Sequence, residues 1–287
     1  ITGESGTGKT LLAKLMHDAS VRAKGPFAVV NCATLSENLL ESELFGHIRG
    51  AFTGAVKDKM GRLQVADTGT VFLDEIGEVS PSLQTKLLRF LQEREFERVG
   101  DTKTIKVDVR IIAATNKDLE REVKEGRFRE DLYFRLNVID LHMPSLRQRP
   151  EDILTLADQL LNRSFVTTSR KPRPIDESAK KAIMGYGWPG NIRELKNALE
   201  RAAILCTGDQ VTLEDLPDRV LEHTNLPQST TSPSMAAMTP SDVSLEDLEK
   251  HHIRHVLSTA TTLEEAASIL GINLSTLWRK RRRYSLE

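Results

Sequence analysis

Short apolar runs alternate with helical patterns in the first half of the chain. The segments at 27–32 (FAVVNC), 70–76 (TVFLDEI) and 107–116 (VDVRIIAATN) are apolar and end in polar residues. Such runs are typical of buried strands whose carboxyl ends face a functional site. Between the last two, a helix is predicted to begin with Ser80 as its N-cap and Pro81 in its first turn. The alternation predicts an α/β domain with a parallel sheet.

The pattern becomes purely helical in the middle of the chain. From about residue 151 to 216 the period predicts a small helical domain. Within it GWPGNIREL (187–195) contains a Pro-Gly stop, which predicts Asn191 as the N-cap of a new helix. Arg193 then lies in the first turn, where it opposes the helix dipole. This placement indicates an anionic target, although a surface arginine is the ordinary alternative.

The last part of the chain contains a break and a second helical pattern. Residues 217–241 are rich in Pro, Ser and Thr and lack periodicity, which predicts a flexible linker. Residues 262–284 predict two helices with a turn at Gly271, and Leu274 and Leu277 are expected to face inward. This is the helix-turn-helix pattern. The predicted organisation is an α/β core at 1–143, a helical domain at 144–216, the linker, and a helix-turn-helix domain at 242–287.

Residues 3–10, GESGTGKT, match Gly-x-x-x-x-Gly-Lys-Thr between an apolar strand and a run with helical spacing. The glycines let backbone N–H groups converge on one point, which the positive end of the next helix also faces. Lys9 would reach the β- and γ-phosphates of a nucleotide, and the Thr10 hydroxyl would bind Mg²⁺. The alternative is a glycine-rich turn that binds nothing. The predicted nucleotide-binding residues are Gly3, Glu4, Ser5, Gly6, Thr7, Gly8, Lys9 and Thr10.

Paired carboxylates follow the second apolar run. Asp74 is placed to complete the Mg²⁺ shell opposite Thr10, and Glu75 to orient and deprotonate an attacking water. If the third run lies between the two motifs in the sheet, Asn116 would point toward the γ-phosphate. The alternative reading is two solvated acids at a strand end. Together with the phosphate loop, the pair predicts a site for ATP and Mg²⁺.

Composition limits the classes of protein that fit. Forty basic and forty-one acidic residues give a net charge of −1, so any nucleic-acid surface must be local. The two cysteines, Cys32 and Cys206, are far apart, which argues against a disulfide framework or a zinc site and for a reducing cytoplasm. No apolar run approaches the length of a membrane span. Because the chain begins at Ile1 within a predicted strand, we expect it to be a fragment.

A run of five basic residues, 279–283, lies on the second helix of the helix-turn-helix pattern. Residues 242–287 have no net charge, so the positive charge is gathered at one end. That distribution is typical of phosphate contact with DNA, and the alternative is a solvated basic tail. The candidates for contacts with base edges are Asn273, Ser275, Thr276 and Arg279. The candidates for phosphate contacts are Lys280, Arg282 and Arg283.

The residues by themselves do not decide the roles of two features. Phe52 lies in a glycine-rich, basic loop, where an exposed aromatic either folds back or meets a partner. Arg129 and Arg135 lie in a segment rich in aromatics. An isolated pair of arginines is usually a solvated face or forms local salt bridges, here with Glu130 or Asp131.

Several strings resemble blocks of one family, in that family's order. The most specific is GAFTGA at 50–55, which occurs unaltered; the others are ESELFGH, FLDEIGE, LLRFLQEREFERVG, RIIAATN, FREDLYFRLNV and GWPGNIREL. On these strings the chain resembles the bacterial enhancer-binding proteins, the sigma-54-dependent transcriptional activators of the NtrC type within the AAA+ ATPases. The resemblance covers residues 1 to about 216 as the ATPase and about 242 to 287 as a Fis-like DNA-binding domain.

The resemblance implies a three-layer αβα ATPase with a parallel sheet, a helical lid and an all-α helix-turn-helix domain. It implies that Arg135, with Arg129, acts as an arginine finger in the neighbouring subunit's site. The active form would then be a ring, typically a hexamer. The residues implied to contact the sigma factor are Gly50, Ala51, Phe52, Thr53, Gly54 and Ala55.

Further roles at the nucleotide come from the same resemblance. Arg193 would be the sensor arginine of the lid, and Thr115 with Asn116 would form the first sensor. Asn31 would be a switch that holds Glu75 away from water until the site is engaged.

The function implied is ATP-dependent activation of transcription. The protein would bind double-stranded DNA as a dimer, assemble into a ring and use ATP hydrolysis to convert closed complexes of sigma-54 RNA polymerase into open ones. An upstream receiver domain would make it a two-component response regulator. Three rivals remain: another class of AAA+ machine, a DNA-binding repressor whose ATP site only switches assembly, and, least favoured, a P-loop kinase for small molecules.

Overall fold

The computed structural model describes residues 1–224 and then 250, 253, 256–257, 262–263, 266–267 and 270–284. The chain divides into two compact units, Ile1–Pro227 and Gln228–Glu287. The described strands are β1 (Phe27–Asn31), β2 (Gly46–His47), β3 (Lys59–Met60), β4 (Thr70–Asp74), β5 (Glu95–Glu97), β6 (Thr104–Lys106) and β7 (Arg110–Ala113). The described helices are α1 (Lys9–Asp18), α2 (Glu37–Phe45), α3 (Arg62–Val65), α4 (Pro81–Glu93), α5 (Leu119–Lys124), α6 (Glu130–Leu136), α7 (Pro150–Thr167), α8 (Glu177–Gly185), α9 (Asn191–Leu205), α10 (Asp218–Thr224) and α11 (Leu274–Tyr284).

Three parallel strands form the central sheet in the order β1, β4, β7. Thr2 extends this sheet, because its backbone forms parallel bridges with Thr115, just after β7, and with His142. The segment that enters the phosphate loop therefore lies beside β7, and β4 lies one strand further away. This order confirms the parallel sheet and brings the carboxyl ends of the polar-ended strands to one edge.

Both faces of the sheet are buried. Val71 and Leu73 of β4 belong to a core cluster shared with α2 and α4, whereas Phe72 belongs to a second cluster with Ala13 of α1. Successive side chains of a strand point to opposite faces, so β4 is covered by helices on each side. The predicted three-layer αβα architecture is confirmed.

Helix α4 begins as the sequence predicts. The Ser80 hydroxyl accepts a hydrogen bond from the backbone N–H of Leu83 at 3.4 Å, and Pro81 is the first helical residue. The strand β7, by contrast, is shorter than the predicted run of 107–116. The backbone N–H of Val107 donates to the carbonyl of Arg94 at 3.1 Å, outside the central sheet.

The helical part of the first unit has its own core around α7, α8 and α9. Trp188 is fully buried in it, and its indole N–H donates to the carbonyl of Ile183 at 2.8 Å. The prediction of a linker from residue 217 onward is wrong at its start, because α10 is helical and Val220 packs into this core. A seven-residue helix is too short to show a clear period. Residues 225–241 lie outside the described residues.

In the second unit the described residues form a small apolar cluster that includes Ala266, Ala267 and Leu277. Gly271 has a φ of +63°, a left-handed conformation that glycine adopts without strain, and α11 follows it. Leu277 is buried as predicted, but the inward placement of Leu274 is wrong, since it is 40% exposed. Among the described helices, none is both long and apolar enough to cross a membrane.

Candidate nucleotide-binding site

The phosphate loop has the backbone conformation that its glycines predict. Gly3, Gly6 and Gly8 have φ values of +146°, +80° and +105°, and α1 begins at Lys9. The Lys9 side chain is almost fully buried, and its ammonium donates to the carbonyls of Gly3 at 2.8 Å and Glu4 at 3.1 Å. The loop therefore folds around its own lysine, whose two recorded partners are neutral carbonyl groups.

This loop fits a polyphosphate. A methyl group added at Gly8 would meet nothing closer than 3.8 Å, so the space beside that residue is open. The first turn of α1 directs unpaired N–H groups into this region, and Lys9 supplies a positive charge. Thr10 is exposed in that turn.

The paired carboxylates lie at the end of β4, as predicted. Glu75 has a φ of +55°, a strained conformation for a residue with a side chain, and its Oε2 accepts from the backbone N–H of Asn116 at 3.2 Å. Asp74 is half-buried on β4, against which α1 packs. Among the described residues no three His, Cys, Asp or Glu side chains converge as a metal site. A Mg²⁺ held by Asp74 and Thr10 would take its other ligands from phosphate and water.

The remaining predicted sensor and switch residues have local partners. Thr115 is buried, and its hydroxyl accepts from the backbone N–H of Lys117 at 3.0 Å. Asn31 accepts through Oδ1 from the backbone N–H of Ala33 at 3.0 Å, and in the described part of the chain no hydrogen bond joins Asn31 to Glu75. The sensor and switch roles remain predictions.

Cys32 follows Asn31 at the acidic edge of the sheet. Burial, and then the charges of Asp74 and Glu75, raise the pKa of its thiol to about 12. The thiol is therefore protonated near neutral pH, which makes it a poor nucleophile.

The helical domain donates hydrogen bonds to backbone carbonyls of the phosphate loop. The N–H of Ile192 donates to the carbonyl of Gly6 at 3.0 Å, and the guanidinium of Arg149 donates to the carbonyl of Thr7 at 3.1 Å. Arg193, a predicted nucleotide contact, donates to the hydroxyl of Ser5 at 2.8 Å. Arg193 therefore lies beside the phosphate loop.

The N-cap prediction for Asn191 is wrong, because α9 begins at Asn191 and Gly190 is the N-cap. The Asn191 side chain instead bonds to the phosphate loop: its Nδ2 donates to Oε2 of Glu4 and to the carbonyl of Ser5, both at 3.1 Å. Glu4 also accepts two hydrogen bonds from Arg147, one at 2.9 Å. The bonds from Arg147, then the one from Asn191, lower the pKa of Glu4 to about 2.

These contacts include residues beside the phosphate loop that sequence reasoning missed. Arg147 and Arg149 carried no signal, since nothing in their spacing relates them to a loop more than 140 residues earlier. For Asn191 there was one signal, a polar residue directly after a Pro-Gly stop. The N-cap interpretation explained that polar residue, so a contact with the phosphate loop was not considered.

The two candidate finger arginines have partners in their own chain. Arg129 pairs with Asp131 at 2.7 Å, which is one of the local salt bridges that the sequence left open. Arg135 is exposed, and its guanidinium donates to the carbonyl of Leu91 at 3.1 and 3.3 Å. It lines a cavity of about 920 Å³ that also borders Gly3.

The GAFTGA loop is folded back on its own domain at one point. Phe52 is half-buried and lies edge-on to His47, with ring centroids 5.0 Å apart. His47 is held in turn by the hydroxyl of Ser42 at 2.7 Å. The Gly50 N–H donates to the carbonyl of Ala55 at 2.8 Å, which closes the loop. The tip residues Thr53 and Gly54 are exposed, and Ala55 is buried.

The predicted DNA-contacting residues lie on or beside α11. The exposed ones are Asn273, Ser275, Arg279 and Arg282, and the half-buried ones are Thr276 and Lys280. The side chain of Arg283 lies outside the described residues. The Asn273 carbonyl accepts from the backbone N–H groups of Thr276 and Leu277 in the first turn. One side of α11 therefore carries hydroxyl and basic groups, while Leu277 packs inward.

Comparison with known families matches three parts of the chain. Residues 1–142 match the sigma-54 interaction domain, residues 147–233 the AAA+ ATPase lid domain, and residues 244–284 the bacterial regulatory protein, Fis family. The segment matched to the lid domain extends to residue 233, past the predicted end of the helical domain at residue 216.

Individual relatives match along the whole chain. The alginate biosynthesis transcriptional regulatory protein AlgB of Pseudomonas syringae pv. tomato is 52% identical over 286 residues, which are 100% of this chain and 62% of that protein. Regulatory protein AtoC of Escherichia coli is 48% identical, with coverage of 100% and 62%. The chain thus spans about three fifths of the length of these relatives.

Solved structures agree in fold. NtrX from Brucella abortus, in a crystal structure with ADP, is 36% identical with a TM-score of 0.72, covering 99% of this chain and 64% of that one. A second NtrX structure, with ATP, has a TM-score of 0.71 at 35% identity and covers 99% of this chain and 63% of that one. Hsp104 with ATPγS and casein shares the fold alone, at 21% identity and a TM-score of 0.53, covering 71% of this chain and 39% of that one.

Proposed function

Because the chain belongs to the family of sigma-54-dependent transcriptional activators, we propose that it uses ATP hydrolysis to convert closed complexes of sigma-54 RNA polymerase into open ones. It is a transcriptional regulator with an ATPase-type domain and a DNA-binding domain. The observation that carries the proposal is that one domain holds both a complete phosphate loop and the separate GAFTGA loop.

ATP would bind with its phosphates along residues 3–10. The backbone N–H groups of the loop and the ammonium of Lys9 would hold the phosphate oxygens, and the ammonium would leave its two carbonyl partners to do so. Thr10 and Asp74 would hold Mg²⁺, which neutralises charge on the phosphates when bound. The ADP and ATP complexes of NtrX support nucleotide binding in general.

Glu75 would act as the general base. Its carboxylate would take a proton from water as the water oxygen bonds to the γ-phosphorus, while the bond from that phosphorus to the β–γ bridging oxygen breaks and ADP leaves. The bond from Asn116 to Glu75 supports this role, because it holds the carboxylate at the edge of the sheet where the phosphate loop also lies.

Arg135 would complete the site of a neighbouring copy. This requires its guanidinium to leave the Leu91 carbonyl, which is feasible because the side chain is exposed. Since a finger arginine is worth about 10³ to 10⁵ in rate in related phosphoryl transfers, isolated subunits should be almost inactive. The ATPase rate per subunit should therefore climb steeply with protein concentration, and a flat profile would contradict the assignment in trans.

DNA binding would supply the local concentration that assembly needs. The helix-turn-helix would place α11 in the major groove, probing base edges with Asn273, Ser275, Thr276 and Arg279 and phosphates with Lys280, Arg282 and Arg283. Two copies on one pseudo-palindrome raise the effective concentration of ATPase domains, which favours a ring.

The decisive experiment separates ATP hydrolysis from open-complex formation. We expect Thr53→Ala to leave ATP hydrolysis within about twofold and to abolish open-complex formation by sigma-54 polymerase, because Thr53 is exposed at the loop tip. Thr85→Ala, on the exposed side of α4, is the matched control and should affect neither. If turnover and open-complex formation vanished together, the loop would be structural. Activation of polymerase that lacks sigma-54 would favour another class of AAA+ machine.

A further inference from the structure

Asn191 has an unusual combination of burial, backbone strain and polar contacts. It is fully buried, and its φ of +52° lies in the left-handed region. Asparagine tolerates that region better than most residues with a side chain. A left-handed backbone and a buried polar side chain both cost free energy. This cost indicates that the hydrogen bonds of the Asn191 side chain offset it.

Those contacts join three segments that are distant in sequence. The Oδ1 of Asn191 accepts from the backbone N–H of Leu146 at 2.7 Å, where the α/β core passes into the lid. Its Nδ2 donates to Glu4 and Ser5 in the phosphate loop at 3.1 Å each. Both polar ends of one buried amide are therefore satisfied by the core and the loop.

The phosphate loop and the start of α9 are in close contact. An added methyl group at Gly6 would lie 2.3 Å from the carbonyl of Gly190, so the loop and the start of α9 touch backbone to backbone. Glu4, which accepts from Asn191, also accepts two hydrogen bonds from the guanidinium of Arg147. The start of α9 therefore cannot shift relative to the loop without breaking these bonds.

We propose that Asn191 is a positioning residue that fastens the start of α9 to the phosphate loop and so sets where Arg193 points. Arg193 follows two residues later and already reaches Ser5. Freed from the Ser5 hydroxyl, it could turn to a phosphate oxygen of a nucleotide in the loop, provided that the start of α9 stays in place. This inference rests on the proposed function only in that the loop binds nucleotide.

The test is the affinity of the full chain for a fluorescent ADP analogue. We expect Asn191→Ala to weaken binding about tenfold, because the start of α9 would no longer be held where Arg193 can reach the nucleotide. Asn191→Gly, which relieves the left-handed backbone but lacks the amide, should weaken it similarly. Asn162→Ala, on the exposed side of α7, is the control and should bind normally. Normal affinity in Asn191→Gly would overturn the proposal.

A second measurement separates positioning from simple structural support. If Asn191 acts through Arg193, then Asn191→Gly combined with Arg193→Ala should bind within about twofold of Arg193→Ala alone. Additive losses would mean that the amide only supports the fold, and would overturn the proposal. Unfolding midpoints of the same variants show which samples are folded, and the glycine variant serves if the alanine variant does not fold.

The outcome also distinguishes this inference from the proposed function. If the unaltered chain binds the analogue and every Asn191 variant binds equally well, only the positioning role fails. If the unaltered chain does not bind the analogue at all, the proposed ATPase fails, and the positioning role fails with it.

Discussion

Two glycine-rich loops of the first unit use glycine for different reasons. In the phosphate loop, Gly3 and Gly6 have positive φ values, and added methyl groups would lie 2.6 and 2.3 Å from backbone carbonyls of other segments. In the GAFTGA loop, Gly50 and Gly54 also have positive φ values, of +83° and +104°, but nothing lies within 4 Å of an added methyl group. The first loop is enclosed, and the second stands open.

The difference matches what each loop is proposed to do. A site for phosphates must hold its N–H groups in one arrangement, and the enclosing backbone does this for the phosphate loop. A loop that meets a partner needs freedom at its tip and an attachment at its base. The edge-on contact of Phe52 with His47 and the packing of Ala51 against Gly100 provide that attachment.

The strongest test of the enclosed loop is removal of its charge. Lys9→Ala should reduce ATP hydrolysis by about 10²–10³-fold, because it removes a buried cation from the place where phosphate charge develops. Steady-state phosphate release by the full chain measures this. Lys14→Ala is the control on the same helix, since Lys14 is exposed and its ammonium pairs with Asp18 and lies 5.2 Å from the ring centroid of Phe27. Comparable turnover in the two variants would mean that the loop does not carry the chemistry.

The comparison itself is tested by adding the same methyl group to each loop. Gly6→Ala should lower the free energy of unfolding by about 2–4 kcal/mol, from the clash with Gly190 and from the left-handed backbone. Gly54→Ala should cost at most about 1 kcal/mol, because an open loop can relax. Urea unfolding measures both values. Equal losses would show that the two loops are equally constrained.

The base of the open loop is tested at Gly100. A methyl group there would lie 2.8 Å from Cβ of Ala51, so Gly100→Ala should displace the loop and reduce open-complex formation about tenfold. ATP hydrolysis should change less than about twofold. Gly126→Ala is the control, because its φ of +73° brings similar strain with nothing within 4 Å. If both variants behaved alike, strain rather than contact with Ala51 would be responsible.

The smallest expected effect is the pH dependence of the contact between the phosphate loop and the lid. Hydrogen bonds, first from Arg147 and then from Asn191, lower the pKa of Glu4 from 4.5 to about 2. A lowered pKa stabilises the fold fully above about pH 4.5, and this contribution fades as the pH falls toward 2. The difference in unfolding free energy between the unaltered chain and Glu4→Gln should be constant above about pH 5 and shrink below it. The same comparison, made in chains that also carry Arg147→Gln, should show a weaker pH dependence. If the pH dependence were unchanged there, Arg147 would not be the cause of the lowered pKa of Glu4.

Local chemistry explains why the sequence predicted so much of the site. Residues 3–10 are contiguous, and the conformation of their backbone depends on glycines and on the helix that follows. Asp74 and Glu75 adjoin a buried strand, so their common edge with the loop follows from the order of a parallel sheet. The wrong predictions were the inward placement of Leu274 and the linker at the position of α10. Both depend on which short helix packs against which core, and a local pattern does not determine this.

The sequence alone determined the phosphate loop, the acidic pair, the parallel sheet and the succession of three domains, because each is set by neighbouring residues or by a regular period. Only the tertiary structure decided what Asn191, Arg147 and Phe52 contact. The bonds from Glu4 to Arg147 and Asn191 span 143 and 187 residues of chain. No local pattern encodes such a pairing, because it depends on how two distinct hydrophobic cores of the first unit pack on each other.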